Sequence, residues 1–285
     1  MKQPQWITIG IAVFLVAAIY VFGRTVPAAK APAPKTAAAA SLLSAGISTD
    51  TILLLAKKQL NAAQNTHVAM LENSISRGAV KDQQLSVYHQ LAHFWGDSIG
   101  LFPPYAWYEA ESARLENSEK SLTFAAHLFL NNLLESHDQE LPMIKWKALQ
   151  AKDLFERSLT INPENDSSRV GLGACYLFGN ISSTPMEGIN YIREVVTKDS
   201  TNAYAQMMLA KGALISGQLD RAISRLTTVH RLEPENIEAI LLLADVYERT
   251  GDKATAAGWY RKSLLYIRRS DARAEIQKRI TDLSK

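Results

Sequence analysis

Residues 162–165 read Asn-Pro-Glu-Asn, residues 199–202 Asp-Ser-Thr-Asn and residues 233–236 Glu-Pro-Glu-Asn. Their starts lie 37 and 34 positions apart, and an amphipathic stretch both precedes and follows each one. Proline lacks an amide hydrogen and disfavours helix in the residue before it, so these tetrads read as stops between helices. A stop recurring at this period predicts helix-turn-helix units that bury their apolar faces by stacking on one another.

The register continues outward from the turns. Leu172-Gly173-x2-Tyr176 opens one unit. Leu209-Ala210, Gly217, Ala222-x3-Leu226 and Pro234 follow in the next. Leu243-Ala244-x2-Tyr247, Gly251 and Ala256-x3-Tyr260 repeat the pattern, and Ala151-x3-Phe155 with Pro163 supplies an earlier second helix. A more diverged unit carries Leu91-Ala92-x2-Trp95 and Ala106-x3-Ala110-x2-Ala113, ending at Asn117-Ser118. These spacings resemble the tetratricopeptide repeat (TPR) family, whose pattern is W-x2-L-G-x2-Y, then A-x3-F, then P. The family's tryptophan position holds Tyr88, Phe124, Arg169, Gln206 and Ile240, so that signature is not kept.

The resemblance implies an all-α solenoid over residues 79–270, with about five units near 85–120, 121–165, 166–202, 203–236 and 237–270. Small residues at 173, 210, 222, 244 and 256 fall where paired helices approach, and Tyr176, Tyr247 and Tyr260 fill the space between units. Gly217 and Gly251 are expected to end helices with a positive φ. The stretch ESHDQELPM and residues 181–185 read as surface insertions. Residues 271–285 form a capping helix with Ala272, Ile276, Ile280 and Leu283 on one face. Ahead of the repeats, residues 48–78 read as one long helix capped by Thr49 and Asp50 and ending at Gly78. It either caps the first repeat or folds back across the groove.

The amino end differs from the rest. After a tail of residues 1–5, residues 6–22 read WITIGIAVFLVAAIYVF without a charge. As a helix this run spans roughly 25 Å, and Gly23 with flanking Lys2 and Arg24 extends it toward bilayer thickness. Residues 6–23 are therefore expected to be a transmembrane helix, and the proline- and alanine-rich residues 24–47 a linker. A signal peptide cleaved near Ala37–Ala40 is the rival reading. The short amino tail places the folded domain outside the cytoplasm, in the periplasm of a bacterial cell; the lysine and arginine residues after the span argue for the opposite orientation.

Composition narrows the function classes. The chain is 47% hydrophobic and 21% charged, with one cysteine, which excludes a disulfide framework or a cysteine-cluster metal site. Its net charge of +3 divides into +4 over residues 1–40, −6 over 41–250 and +5 over 251–285, so the body offers no electrostatic basis for nucleic-acid binding. The basic end reads as a solvated cap face, with an anionic lipid or acidic partner as the alternative. No phosphate loop, GxSxG, dinucleotide fingerprint or HExxH occurs. His89 and His93 stand four apart on one helical face, where two imidazoles can meet a metal, but no third ligand is spaced nearby. Cys175 reads as a buried small hydrophobe. The aromatic run Phe94–Tyr108 reads as core of the first unit, with a recognition surface as its alternative.

The resemblance also implies that chosen positions of each first helix line a concave, partner-binding face. Carried across, these are His89, His93, Ala125, Phe129, Val170, Ala174, Tyr204, Met207, Lys211, Leu241 and Asp245. The lysine and asparagine set that grips a C-terminal carboxylate in some family members is missing, which leaves a mostly apolar lining suited to an amphipathic helix. The expected function is a membrane-anchored scaffold for unidentified protein partners, similar in plan to bacterial envelope proteins that assist secretion or complex assembly. No catalysis, cofactor or metal is expected. The alternatives are a metal-binding protein using His89 and His93 and a self-associating structural module.

Overall fold

The computed structural model describes residues 47–77, 80–135 and 140–284. The chain divides into two compact units, 1–44 and 45–285, and every described residue belongs to the second. The tail, the expected transmembrane helix at 6–23, nearly all of the 24–47 linker, Gly78 and residues 136–139 of the insertion lie outside the described residues. Among the described residues no helix is long and apolar enough to cross a membrane.

The described residues form thirteen α-helices and one π-helical turn, with no strand. They are α1 (Thr49–Lys57), α2 (Ala62–Arg77), α3 (Lys81–His93), α4 (Phe102–Glu116), α5 (Glu119–Glu135), α6 (Leu141–Ile161), α7 (Asp166–Phe178), α8 (Met186–Lys198), α9 (Ala203–Ile215), α10 (Leu219–Leu232), α11 (Ile237–Arg249), α12 (Lys253–Ser263) and α13 (Ser270–Leu283). From α3 to α12 they pack as consecutive pairs, and α5 with α7 and α7 with α9 also touch, so first helices stack on first helices. This is a TPR-like helical solenoid.

The three tetrads adopt one geometry. Asn162, Asp199 and Glu233 leave the preceding helix with φ between −137° and −130°. The amides of Asn165, Asn202 and Asn236 then donate to the carbonyls of Asn162, Asp199 and Glu233 at 3.1, 3.2 and 3.0 Å. Each asparagine Oδ1 accepts from a backbone N–H three residues on, at Ser168, Ala205 and Ala239, over 2.8–2.9 Å. A side-chain acceptor at the N-cap satisfies one of the four orphan amides of a helix start, and its removal costs about 1 kcal/mol.

Small residues set the spacing within a pair. A methyl group on Gly173 (α7) would sit 2.6 Å from the Gly188 carbonyl oxygen and 2.6 Å from Ile192 (α8), so the α7 and α8 backbones lie almost in contact. Gly217 and Gly251 take φ of 71° and 87°, the left-handed conformation that ends α9 and α11.

The amino-terminal helix differs from the expectation. Residues 48–78 do not form one helix but two, α1 and α2, broken at Lys58–Asn61. Ser48, rather than Thr49 or Asp50, caps α1, its hydroxyl accepting from the Thr51 amide at 3.2 Å. Asn61 and Gln64 then form a reciprocal capping box, each side chain accepting from the other's backbone amide at 2.9 Å, which starts a new helix. α2 caps the first repeat, Val68 packing with Leu91, Trp95 and Tyr108, while α1 lies on α4 and reaches the second unit, where Trp146 Nε1 donates to Thr49 Oγ1 at 3.0 Å. The end of α3 was not foreseen either. It passes into a π-helical turn, Phe94–Ile99, that buries Trp95 completely before Gly100 reverses the chain at φ 74°.

Opposite outcomes at two glycines test the packing account. Gly173→Ala should lower the urea midpoint, with a loss of about 1–3 kcal/mol from overpacking. Gly258→Ala, in α12 where an added methyl meets no heavy atom within 4 Å, should instead gain about 1 kcal/mol. Equal losses at both sites would show that the helix spacing is not set at Gly173.

Candidate protein-binding groove

α9 is apolar nearly all round because two of its faces are covered or lined. One face, Tyr204, Met207, Met208 and Lys211, has the i, i+3, i+4, i+7 spacing of a single helical stripe and lines a groove of about 800 Å³. Asn131 and Leu134 of α5, Phe178 of α7 and Glu238 and Leu242 of α11 complete the walls. Glu238 and Leu242 stand 34 residues after Tyr204 and Met208, so the repeat places equivalent positions on one wall. Thirty-four residues later the capped turn has delivered the same helix face again.

Tyr204 is the most constrained residue of the groove. Its ring lies 5.6 Å from the His127 ring, which in turn meets Phe155 edge-on at 5.0 Å. Its hydroxyl is buried and has no hydrogen-bond partner among the described residues. Burial raises the phenol pKa, with the neighbouring Cys175 adding to it. A buried donor left unmade costs about 1–3 kcal/mol, and this one faces the core beside Cys175, closed off from the groove, so the ring and not the hydroxyl lines the groove. At the rim, Lys211 Nζ pairs with Glu238 Oε1 at 2.6 Å, and Glu135 and Glu233 add two more carboxylates. The groove is thus apolar at its base and acidic at its edge.

The other expected groove residues are distributed differently. Phe129 is fully buried between Phe102 and Trp146, so it belongs to the core. Ala125, Val170 and Ala174 are buried with it. Leu241 packs against the cluster of Ala244, Ala257, Tyr260 and Ile280, because α13 closes over the last unit where a further repeat would stack. Asp245 lies 4.0 Å from Arg249 and lines no part of the cavity. His89 and His93 are exposed and far along the chain from this wall. The His89 Nε2 approaches Ser112 Oγ at 3.2 Å, and His93 Nδ1 pairs with Asp97 Oδ2 at 2.8 Å, a hydrogen bond that raises the imidazole pKa. Among the described residues no group of three or more His, Cys, Asp or Glu is placed to hold a metal. Cys175 is completely buried, and burial pushes its thiol pKa up.

Sequence reasoning missed His127, Met208 and Leu242. Met208 follows from Tyr204 by a step of four residues, and Leu242 from Met208 by a step of thirty-four.

Residues 213–275 match the family model for the tetratricopeptide repeat. These are tetratricopeptide repeats. The match covers α10, α11 and α12 with their flanking turns, including Gly217, Pro234 and Gly251. No curated protein is significantly similar to the chain. Among solved structures, the chain is similar to MamA from Desulfovibrio magneticus RS-1, at 20% identity over 64% of this chain and 94% of that one, with a TM-score of 0.42. It is also similar to the thermophilic TPR protein TTC0263 from Thermus thermophilus, at 14% identity over 72% and 98%, TM-score 0.49. Pseudomonas aeruginosa PilF shows 12% identity over 71% and 85%, TM-score 0.46. Tetratricopeptide repeats are a protein-interaction module, and residues 213–275 match it.

His127, packed behind Tyr204, gives the fold a pH dependence. Burial lowers its pKa below the ordinary 6.5. The unfolded chain therefore takes up a proton below pH 6.5 that the folded chain resists, and stability falls as pH falls through that region. Thermal melts from pH 7 to pH 5 should show a smaller loss in His127→Gln than in the natural chain. An identical slope in both would show that His127 is not the group responsible.

Proposed function

We propose that this protein is a membrane-tethered scaffold whose groove between α5, α9 and α11 holds an apolar, base-flanked segment of a partner protein. The carrying observation is the continuous apolar base formed by the Tyr204 ring, Met207, Met208 and Leu242. A segment with an apolar face covers all four side chains together. The rim favours basic flanks, because three carboxylates there oppose the single Lys211. Aromatic and methionine linings suit recognition of more than one apolar sequence.

Anchoring rests on residues 6–22, whose seventeen uncharged residues and flanking Lys2 and Arg24 suit a single span. Residues 24–47 then act as the spacer that holds the scaffold off the bilayer. The folded body lies on the extracytoplasmic side, and its role there is assembly or secretion of envelope proteins without catalysis or cofactor.

A photo-crosslinker at Ile215, an exposed groove residue, should trap partner protein in native membranes, whereas one at Thr227 on α10 should not. Glu233→Lys, which reverses an exposed rim carboxylate, should weaken that adduct while leaving the melting temperature nearly unchanged. Adducts from Thr227 alone would overturn the groove assignment. For topology, reporter fusions after residue 45 and at the carboxyl terminus should both report the extracytoplasmic side. Cytoplasmic signals from both would reverse the orientation.

A further inference from the structure

The opposite face of α9 lines a second cavity, independent of the groove. Leu209, Gly212 and Ala213 of α9 meet Leu177 of α7, Ile189 and Arg193 of α8, and Gln218, Arg221 and Arg225 around α10. The space measures about 310 Å³, at the small end of ordinary ligand pockets of roughly 300–1,000 Å³. Three guanidinium groups converge there and no acidic residue lines it.

None of the three arginines has a carboxylate partner among the described residues. Arg193 makes no side-chain hydrogen bond, while Glu194, its neighbour, is turned to Arg169 at 3.1 Å. Arg221 donates only to Gln218 Oε1, at 2.5 Å. Arg225 donates through Nη1 to Gln206 Oε1 at 2.8 Å, and Gln206, itself buried, is held in turn by the Ser200 carbonyl at 2.9 Å. Gln206 therefore fixes one edge of the Arg225 fork, and the remaining N–H groups have no protein acceptor. Burial, followed by repulsion from Arg193 and Arg221, lowers the Arg225 pKa, which shows that the three charges act on one another. Arg221 and Arg225 also stand i and i+4 on α10, where like charges oppose helix formation. Arg114, by contrast, is neutralised by Glu111 and Asp153. Here the repulsion is left standing beside an apolar floor of Leu177, Ile189 and Leu209.

We propose that this pocket binds a phosphate monoester carried on a short apolar body. The arginines take the phosphate through paired, charge-assisted hydrogen bonds, and the leucine and isoleucine floor takes the apolar part. A dianion suits three convergent guanidinium groups better than a single carboxylate does, because their forks match phosphate oxygens two at a time. The chemistry is shared by a soluble alkyl phosphate and by the headgroup of a phosphatidate lipid.

Calorimetric titration of the full chain in a neutral non-ionic detergent tests the site with three probes: hexyl phosphate, inorganic phosphate and hexanol. Hexyl phosphate should bind at least about tenfold tighter than inorganic phosphate, and hexanol should not bind. Arg193→Gln with Arg221→Gln, both exposed and structurally unconstrained, should weaken hexyl phosphate by about tenfold or more. The pair Arg261→Gln with Arg268→Gln removes the same charge from the basic carboxyl end and should leave it unchanged. Flotation with phosphatidylcholine vesicles, with and without phosphatidate, separates the sources. Phosphatidate-dependent flotation lost in the 193/221 variant supports the lipid headgroup, and hexyl phosphate binding without it supports a soluble ligand. The proposal is overturned if hexyl phosphate binds no tighter than inorganic phosphate, or if both double variants weaken it equally.

Discussion

Three hydrogen bonds, from the amides of Ser168, Ala205 and Ala239 to the asparagines at the turns, set the geometry on which the solenoid depends. Each begins a first helix at the same angle from the second helix before it, because the preceding residue also leaves its helix with nearly the same φ. Identical turns make identical rotations, so positions one repeat apart return to one wall. The groove is a product of that repetition: Tyr204 and Met208 on α9 and Glu238 and Leu242 on α11 face one space because Asn202 and Asn236 start their helices alike. A change at a turn asparagine therefore acts on the groove as well as on stability.

Close backbone approach supplies the second constraint. With α7 and α8 separated by little more than the Gly173 hydrogen and the Gly188 carbonyl, the helix pair behaves as a thin slab with two usable faces. α9 then lines a cavity on each side, one apolar with an acidic rim, the other apolar with three arginines. The overall charge of +3 conceals this opposition, as it conceals the acidic body and the basic carboxyl end. Two cavities of opposite charge on one helix let a scaffold engage two chemically distinct ligands without competition between them.

Most of the fold was legible because local chemistry and global packing agree. The turn asparagines, Gly217, Gly251 and the small residue at 173 each need a particular residue type for a geometric reason, and each occurs where the repeat requires it. The groove was legible only in part. Tyr204, Met207 and Lys211 line it, but Phe129 fills the core, packed edge-on against Phe102 of α4 and Trp146 of α6. Leu241 was one residue from Leu242, and one residue on a helix is a rotation of about 100°. Its neighbour faces the groove while Leu241 lies beneath α13. The break between α1 and α2 had a sequence signal, the Asn61–Gln64 capping box, overshadowed by an apolar periodicity that runs through Lys58–Asn61. The arginine pocket had none, because Arg193 and Arg221 lie on different helices with nothing in their spacing to join them.

α9 is the centre of the protein, its Tyr204, Met207 and Met208 face forming the base of the groove. Carbene footprinting of the chain in native membranes, compared with the purified chain, measures this directly. Labelling at Leu214 and Ile215 should fall in the membranes, where partner is present, while Thr227 on α10 stays equally labelled. Equal labelling of Leu214 and Ile215 in both preparations would contradict the central claim that the groove on α9 is where this scaffold holds its partner.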